Sequence, residues 1–430
     1  MIFFNYLLFL TPIVCLVRIH WLSIVLIIMF ISLLPSLKLI IKKRYFVVKH
    51  ERIKIEHPVP DILCFLIVIL FAHQILSLII FDFDIPAYFY KGLTKIVTEI
   101  VQTLIGISIL YILQNSHKDY QQSLSFLIKG IIFAAIFFVF DHILDHKILS
   151  LLMPHLSSLN GYNISQSHQG QVFCSVIVWP LVGYLFILDK KKYAYWLIFC
   201  AGLIAFVAFV FHGLNYNAIL SFLTGLFVFI FFIKYKKHFS ELSIFAFLFL
   251  MLIVPILFTI FEQEHLSLLP KFKDSISHRF CIWHYYTQKI FDNILFGYGF
   301  NSAEKFGIIE NVTCNMIQSF RHLNPALVAN GHHPHNIGLQ SVLELGLIGI
   351  IIIISIGVVI ILKTNIRNTF IIRKQTIAML NNKNTIHASF LASFFAFLVF
   401  LIAAVNIWSA WIIATIFYIS IICKMVIHKK

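Results

Sequence analysis

Charge is scarce in this sequence. Only 12% of its 430 residues are Asp, Glu, Lys or Arg, and the acidic ones number just 18. Soluble domains carry about 25% charged and about 45–50% apolar residues; this chain is 60% hydrophobic, with a mean hydropathy of +0.92. That shortage excludes a soluble globular fold, which could not hide so much apolar surface. It also excludes a disordered chain or a coiled coil, both of which need abundant polar residues. Glycine, at 17 residues, is too sparse for a collagen-like repeat. Cysteine is limited to seven residues. Cys15, Cys64, Cys200 and Cys423 sit in or near apolar runs, where a thiol packs as a small hydrophobe. The remaining class is an all-α polytopic membrane protein, since about twelve spans of about 20 residues would absorb most of the apolar content.

What charge exists is unbalanced: 33 Lys and Arg against 18 acidic residues give a net +15. On a soluble protein this would suggest nucleic acid. Here it indicates basic loops facing anionic membrane lipids, with no nucleic-acid partner. Apolar runs between polar breaks predict spans at about 2–17, 21–40, 61–80, 95–113, 124–140, 171–188, 194–211, 214–233, 242–261, 337–362, 387–404 and 407–424. The first run lacks a small-residue cleavage site and is expected to remain as a span. With both termini in the cytoplasm, 22 of the 33 basic residues fall inside, 10 outside and one, Lys129, within a span. The positive-inside rule favours that orientation. No internal repeat is visible, which weighs against the duplicated halves of a transporter.

The chain therefore divides into residues 1–261 (nine spans), a large outer loop over 262–336, and three further spans in 337–430. A loop of some 75 residues, rich in Trp, Tyr, Phe and His, is too long for a connector. It is expected to form a small cap with short helices. Cys281 and Cys314 share it, and a disulfide between them is compatible with an oxidising compartment, although spacing alone does not fix its geometry. His332, His333 and His335 are clustered, but the i, i+4 pairing with a nearby carboxylate or Cys that zinc favours is missing. No metal site and no cofactor is expected.

Two runs carry groups capable of chemistry. In Ser275-Ile-Ser-His-Arg279-Phe-Cys-Ile-Trp283-His-Tyr-Tyr286-Thr-Gln-Lys-Ile290, residues Arg279, Trp283, Tyr286 and Ile290 recur at helical spacing on one face, and Gly297-Tyr-Gly299 ends the element. An inward guanidinium beside aromatic rings suits bidentate phosphate binding, although an Arg anchored at lipid headgroups would look the same. In His332-His-Pro-His335-Asn336-Ile-Gly-Leu-Gln340-Ser-Val-Leu-Glu344-Leu-Gly346-Leu-Ile-Gly349, Pro334 precedes an apolar helix. His335 heads that helix, and Asn336, Gln340 and Glu344 descend one of its faces. A carboxylate two turns into a span must face protein or water, as either a functional or a structural group.

These residues resemble a known signature. The His335-Asn336…Leu339-Gln340…Glu344-Leu-Gly346…Gly349 run, preceded by Arg279…Trp283…Phe296-Gly297-Tyr-Gly299, is similar to that of the bacterial O-antigen ligase and O-antigen polymerase superfamily. Together the runs cover about 75 residues at the end of a long periplasmic loop and the start of the next span. The resemblance implies a class C glycosyltransferase-like fold with a cleft open to the periplasm, in an inner-membrane protein. It implies glycan transfer from an undecaprenyl pyrophosphate-linked donor, with a lipid A-core acceptor for a ligase. By matching position it makes Arg279 the phosphate ligand and His335 the catalytic His; Trp283, Asn336, Gln340 and Glu344 are expected to bind substrate. An imidazole's unperturbed pKa of about 6.5 suits a general base.

One departure stands out. Many ligases carry a Ser-Arg-Gly-like run two spans before the large loop, and this chain reads His212-Gly-Leu-Asn215-Tyr216-Asn217-Ala218 there. A second phosphate cation must then come from elsewhere, with Arg321, Lys271 and Lys273 as candidates. The Gly161-Tyr-Asn163-Ile-Ser-Gln166-Ser-His168-Gln-Gly170 segment, His168 included, could line the same cleft or be an ordinary polar loop. The expected function is O-antigen ligase; the alternatives are an O-antigen polymerase and a twelve-span transporter.

Overall fold

The computed structural model describes residues 2–50, 62–82, 86–115, 120–144, 162–211, 216–234, 239–260, 274–303, 306, 334–371, 377–403 and 408–427. Several side chains within these ranges, those of His168 and Cys281 among them, lie outside the described set. The described residues form helices and no strands: α1 (Ile2–Val17), a 3₁₀ turn (Ile19–Trp21), α2 (Leu22–His50), α3 (Ile62–Asp82), α4 (Pro86–Asn115), α5 (Gln121–Ile143), α6 (Tyr162–Ile187), α7 (Lys191–Phe211), α8 (Tyr216–Lys234), α9 (Phe239–Ile260), α10 (Asp274–Asp292), α11 (Ile337–Ile371), α12 (Ile377–Ala403) and α13 (Ala410–Ile427).

The chain is a multi-pass membrane protein. Among the described residues nine helices are long and apolar enough to cross a membrane, and α1 and part of α9 are shorter apolar segments. Every one of the twelve expected segments coincides with a helix, but several helices outrun the apolar part. α4 starts at Pro86 and α6 at Tyr162, each nine residues before the expected span. Helix formation depends on backbone hydrogen bonding and propensity, so Pro86 at the head of α4 and the polar first turns of α6 extend helices that hydropathy cuts short.

The interior is built on α6, which packs against α1, α7, α8, α12 and α13. Small residues allow this crowding, as they do wherever helices meet without a hydrophobic drive from water. A side chain at Gly225 would strike the Trp179 indole, and one at Gly170 would strike the Cys15 carbonyl of α1. Ser393 of α12 donates to the Val176 carbonyl of α6 at 2.9 Å. The lipid-facing side is apolar by contrast, with Phe65, Ile80, Phe227 and Phe245 exposed. α11 lies against α3, α9 and α12, and the amphipathic α10 rests on α9 and α11. That last packing positions the site.

Candidate functional site at the junction of α10 and α11

The expected face of α10 forms. Tyr286 and Ile290 are buried, and Trp283 and Arg279 are half-buried one and two turns toward the helix start, while Gln288 and Phe291 on the opposite side are exposed. Burial pushes the Arg279 guanidinium down from its ordinary pKa, because desolvation disfavours its charge. Arginine stays protonated nonetheless.

Two hydrogen bonds from this face tie α10 into the protein. The Trp283 indole Nε1–H donates to the Pro334 carbonyl at 2.7 Å, and the Tyr286 hydroxyl donates to the Ala303 carbonyl at 2.9 Å. The first joins the helix to the residue before His335. The aromatic residues counted from sequence as phosphate neighbours thus act as struts.

His335 has a left-handed backbone, with φ of 52°. For a residue with a Cβ this costs about 1–3 kcal/mol and persists only where the surroundings enforce it. Both neighbours are held. Pro334 is buried and takes the Trp283 bond. Asn336 caps α11: its Oδ1 accepts from the Leu339 amide at 2.8 Å, while its Nδ2 donates to the Ile402 carbonyl at 3.0 Å. The half-buried imidazole is therefore presented from a fixed turn at a helix start, one residue from the α10 strut.

Two and a half turns on, Glu344 is fully buried and collects four donors. Its Oε2 accepts from the Asn301 amide at 2.9 Å and from the Trp408 indole, and its Oε1 from Gln340 Nε2 at 3.0 Å and the Ala303 amide at 3.4 Å. Lys95 of α4 donates to Asn301 Oδ1 at 2.5 Å and lies within electrostatic reach of Glu344. The sequence suggested a continuous span here, but α11 breaks at Gly346, whose φ of 65° and ψ of −167° leave the helical region. The break frees backbone groups that lipid could not satisfy, and protein takes them up. Tyr298 and Gly299 amides donate to the Leu343 and Glu344 carbonyls at 2.9 and 3.0 Å, and the Leu347 amide donates to the Ile294 carbonyl at 2.9 Å. A ring nitrogen of His73 meets the Leu345 carbonyl at 2.9 Å. Glycine is required on both sides of this contact: Gly297, with φ of 71°, would set a Cβ 2.6 Å from the Glu344 carbonyl carbon. At Gly346 a Cβ would collide with the Leu295 carbonyl oxygen.

A circuit results. Glu344 holds the Asn301 and Ala303 amides, the Ala303 carbonyl takes the Tyr286 hydroxyl, the Pro334 carbonyl takes the Trp283 indole, and α11 leads from His335 back to Glu344. The structure brings Trp283, His335, Asn336, Gln340 and Glu344 into one junction, with Arg279 one turn before Trp283 on the same face of α10. Asn336, Gln340 and Glu344 are buried, with their polar groups engaged by protein. Arg321, Lys271, Lys273, His332, His333, Cys314 and the 212–215 segment lie outside the described residues, as does the His168 side chain. Among the described residues no group of three His, Cys, Asp or Glu side chains is placed to hold a metal. Lys95, Trp408 and His73 went unnoticed in sequence, since each lies in or beside an apolar run far from the two motifs.

Comparison with known proteins bears on this junction directly. Residues 215–354, which include α10 and the first half of α11, match the O-antigen ligase family model, so this third of the chain is similar to that family. A candidate polysaccharide ligase of Rickettsia bellii is 28% identical over 273 residues, 62% of this chain and 60% of that one. One of Rickettsia conorii is 30% identical over 155 residues, 36% and 32% of the two chains. One of Rickettsia typhi is 24% identical over 376 residues, 85% and 78%. The matched part thus spans about three fifths of the R. bellii protein and a third of the R. conorii one. No solved structure matches the chain.

Proposed function

We propose that this protein is an O-antigen ligase of the bacterial inner membrane, moving O-antigen polysaccharide from undecaprenyl pyrophosphate to the lipid A-core oligosaccharide. The observation that carries the reading is the Trp283–Pro334 bond, which joins the arginine-bearing face of α10 to the turn presenting His335 inside the family-matched region. The match to the O-antigen ligase family supports an enzyme over the transporter reading. The basic asymmetry supports cytoplasmic termini and a site open to the periplasm.

In the reaction, neutral His335 takes the proton of the acceptor hydroxyl as its oxygen attacks the anomeric carbon. The bond from that carbon to the phosphate oxygen breaks, and the pyrophosphate leaves with the electron pair. It needs charge stabilisation rather than a protonating acid, and Arg279 supplies it. Displacement in one step inverts the anomeric configuration. On this chemistry the chain's own cation replaces a metal, and no cofactor is called for. Asn336, Gln340 and Glu344 keep the junction rigid beneath the bound substrates, and Arg321, with Lys271 and Lys273, remains the proposed source of a second phosphate contact, with His168 on the cleft wall.

The test is transfer by the purified protein from lipid-linked donor to lipid A-core, with no nucleotide and with a chelator present. Glycan-extended lipid A-core supports the reading. Donor extension without transfer to the core makes the protein a polymerase, and no turnover of either kind overturns the assignment.

A further inference from the structure

On the packed helices α3 and α4, three buried oxygens lack donors. Gln74 of α3 is fully buried, and Glu99 and Gln102 of α4 are 2% and 3% exposed. Gln74 Nε2 donates to Glu99 Oε2 at 3.5 Å, which fixes its carboxamide in the α3–α4 seam beside the carboxylate. Gln102 stands one turn from Glu99, on the same face of α4. Gln74 Oε1, Glu99 Oε1 and Gln102 Oε1 are all sealed from solvent with no hydrogen-bond partner among the described residues. A single orphaned acceptor is costly at such depth. Three on two helices packed together indicate an occupant.

The formal charges point the same way. Lys95, one turn before Glu99, and Glu344 are both within electrostatic reach of Glu99. Two carboxylates thus face one ammonium, and Lys95 already donates to Asn301. With both carboxylates ionised the enclosure is one positive charge short of neutrality, in a region where uncompensated charge costs several kcal/mol. The free ligands are two amide oxygens and one carboxylate oxygen, hard donors without imidazole or thiolate, which disfavours transition metals. A single charge to balance favours a monovalent ion over calcium or magnesium, whose second charge the enclosure would leave in excess.

We propose that Gln74, Glu99 and Gln102 form a binding site for a monovalent alkali cation in the α3–α4 seam. One ion meets all three acceptors and balances the charge. It braces the wall against which Lys95 holds Asn301, and through Asn301 the loop that Glu344 anchors.

The probe is the alkali ion itself, on the purified full-length protein. Thermal unfolding is followed by tryptophan fluorescence in NaCl, KCl and N-methylglucamine chloride at equal ionic strength and pH. The expected result is a Tm that climbs with Na⁺ or K⁺ by about 2 °C per tenfold increase above half-saturation, relative to N-methylglucamine. Glu99→Gln removes that dependence, and Gln102→Leu, which leaves the carboxylate in place, moves half-saturation at least tenfold higher. Equal Tm values in all three salts would overturn the proposal, leaving a proton or a water in the seam. So would an alkali-ion effect that survives undiminished in both variants.

Discussion

The Trp283 indole and the Pro334 carbonyl are 2.7 Å apart, and this single bond couples the loop helix to the turn that carries His335. Trp283→Phe keeps the ring and loses the donor. A hydrogen bond of this kind contributes about 1 kcal/mol. Transfer should fall about five- to tenfold with normal membrane insertion, the loss appearing mainly in kcat. Unchanged kinetics would show that the His335 turn holds its shape without α10.

Arg279 is half-buried on the same face, one turn before that strut. Arg279→Lys preserves the charge but loses the planar fork. Steady-state transfer should drop by about 10²–10³, the usual cost of removing one donor to a developing anion. Near-normal turnover in the Lys variant would make Arg279 a headgroup anchor.

Glu344 and Gly346 make a prediction about stability. Glu344→Ala leaves the Trp408, Gln340, Asn301 and Ala303 donors facing a void, and removing a buried acceptor of this kind costs about 3–5 kcal/mol. Gly346→Ala meets both a left-handed backbone and the Leu295 carbonyl. Both variants should unfold at clearly lower temperature in detergent than the wild type, whereas Trp283→Phe should not. A Gly346→Ala protein of wild-type Tm would mean that α11 runs through the break as a regular helix.

Orientation can be read separately. A reporter fused within residues 265–330 should give a periplasmic signal and one at Lys374 a cytoplasmic signal, following the distribution of Lys and Arg. A cytoplasmic signal from the large loop would put the junction on the wrong side for lipid-linked glycan.

Much of this was legible in the sequence, for reasons that individual residues make plain. Apolar runs gave the helices, because lipid demands about 20 apolar residues whatever their neighbours. The face of α10 was legible because Arg279, Trp283, Tyr286 and Ile290 keep a helical period. The helix break was not. Gly346 looks like any small residue in a span, and only the Tyr298 and Gly299 amides docked on the Leu343 and Glu344 carbonyls reveal its purpose. The partners of Glu344 were hidden in the same way. Trp408 and Lys95 lie 64 and 249 positions from it along the chain, and no local pattern connects such residues. Asn336 was read as a substrate contact from its motif, while its cap on Leu339 and its bond to Ile402 depend on where α12 ends.

The central claim is that His335 is the base, and its neighbours provide the control. His335 occupies a strained turn between two anchored residues, whereas His332 and His333 precede Pro334. The decisive measurement compares initial rates of glycan transfer to lipid A-core for His335→Ala, His332→Ala and His333→Ala, each purified and matched for Tm. The account predicts that His335→Ala abolishes transfer and that the other two retain most of it. Equal losses at all three positions, with sensitivity to a chelator, would contradict it and point to a metal held by the cluster.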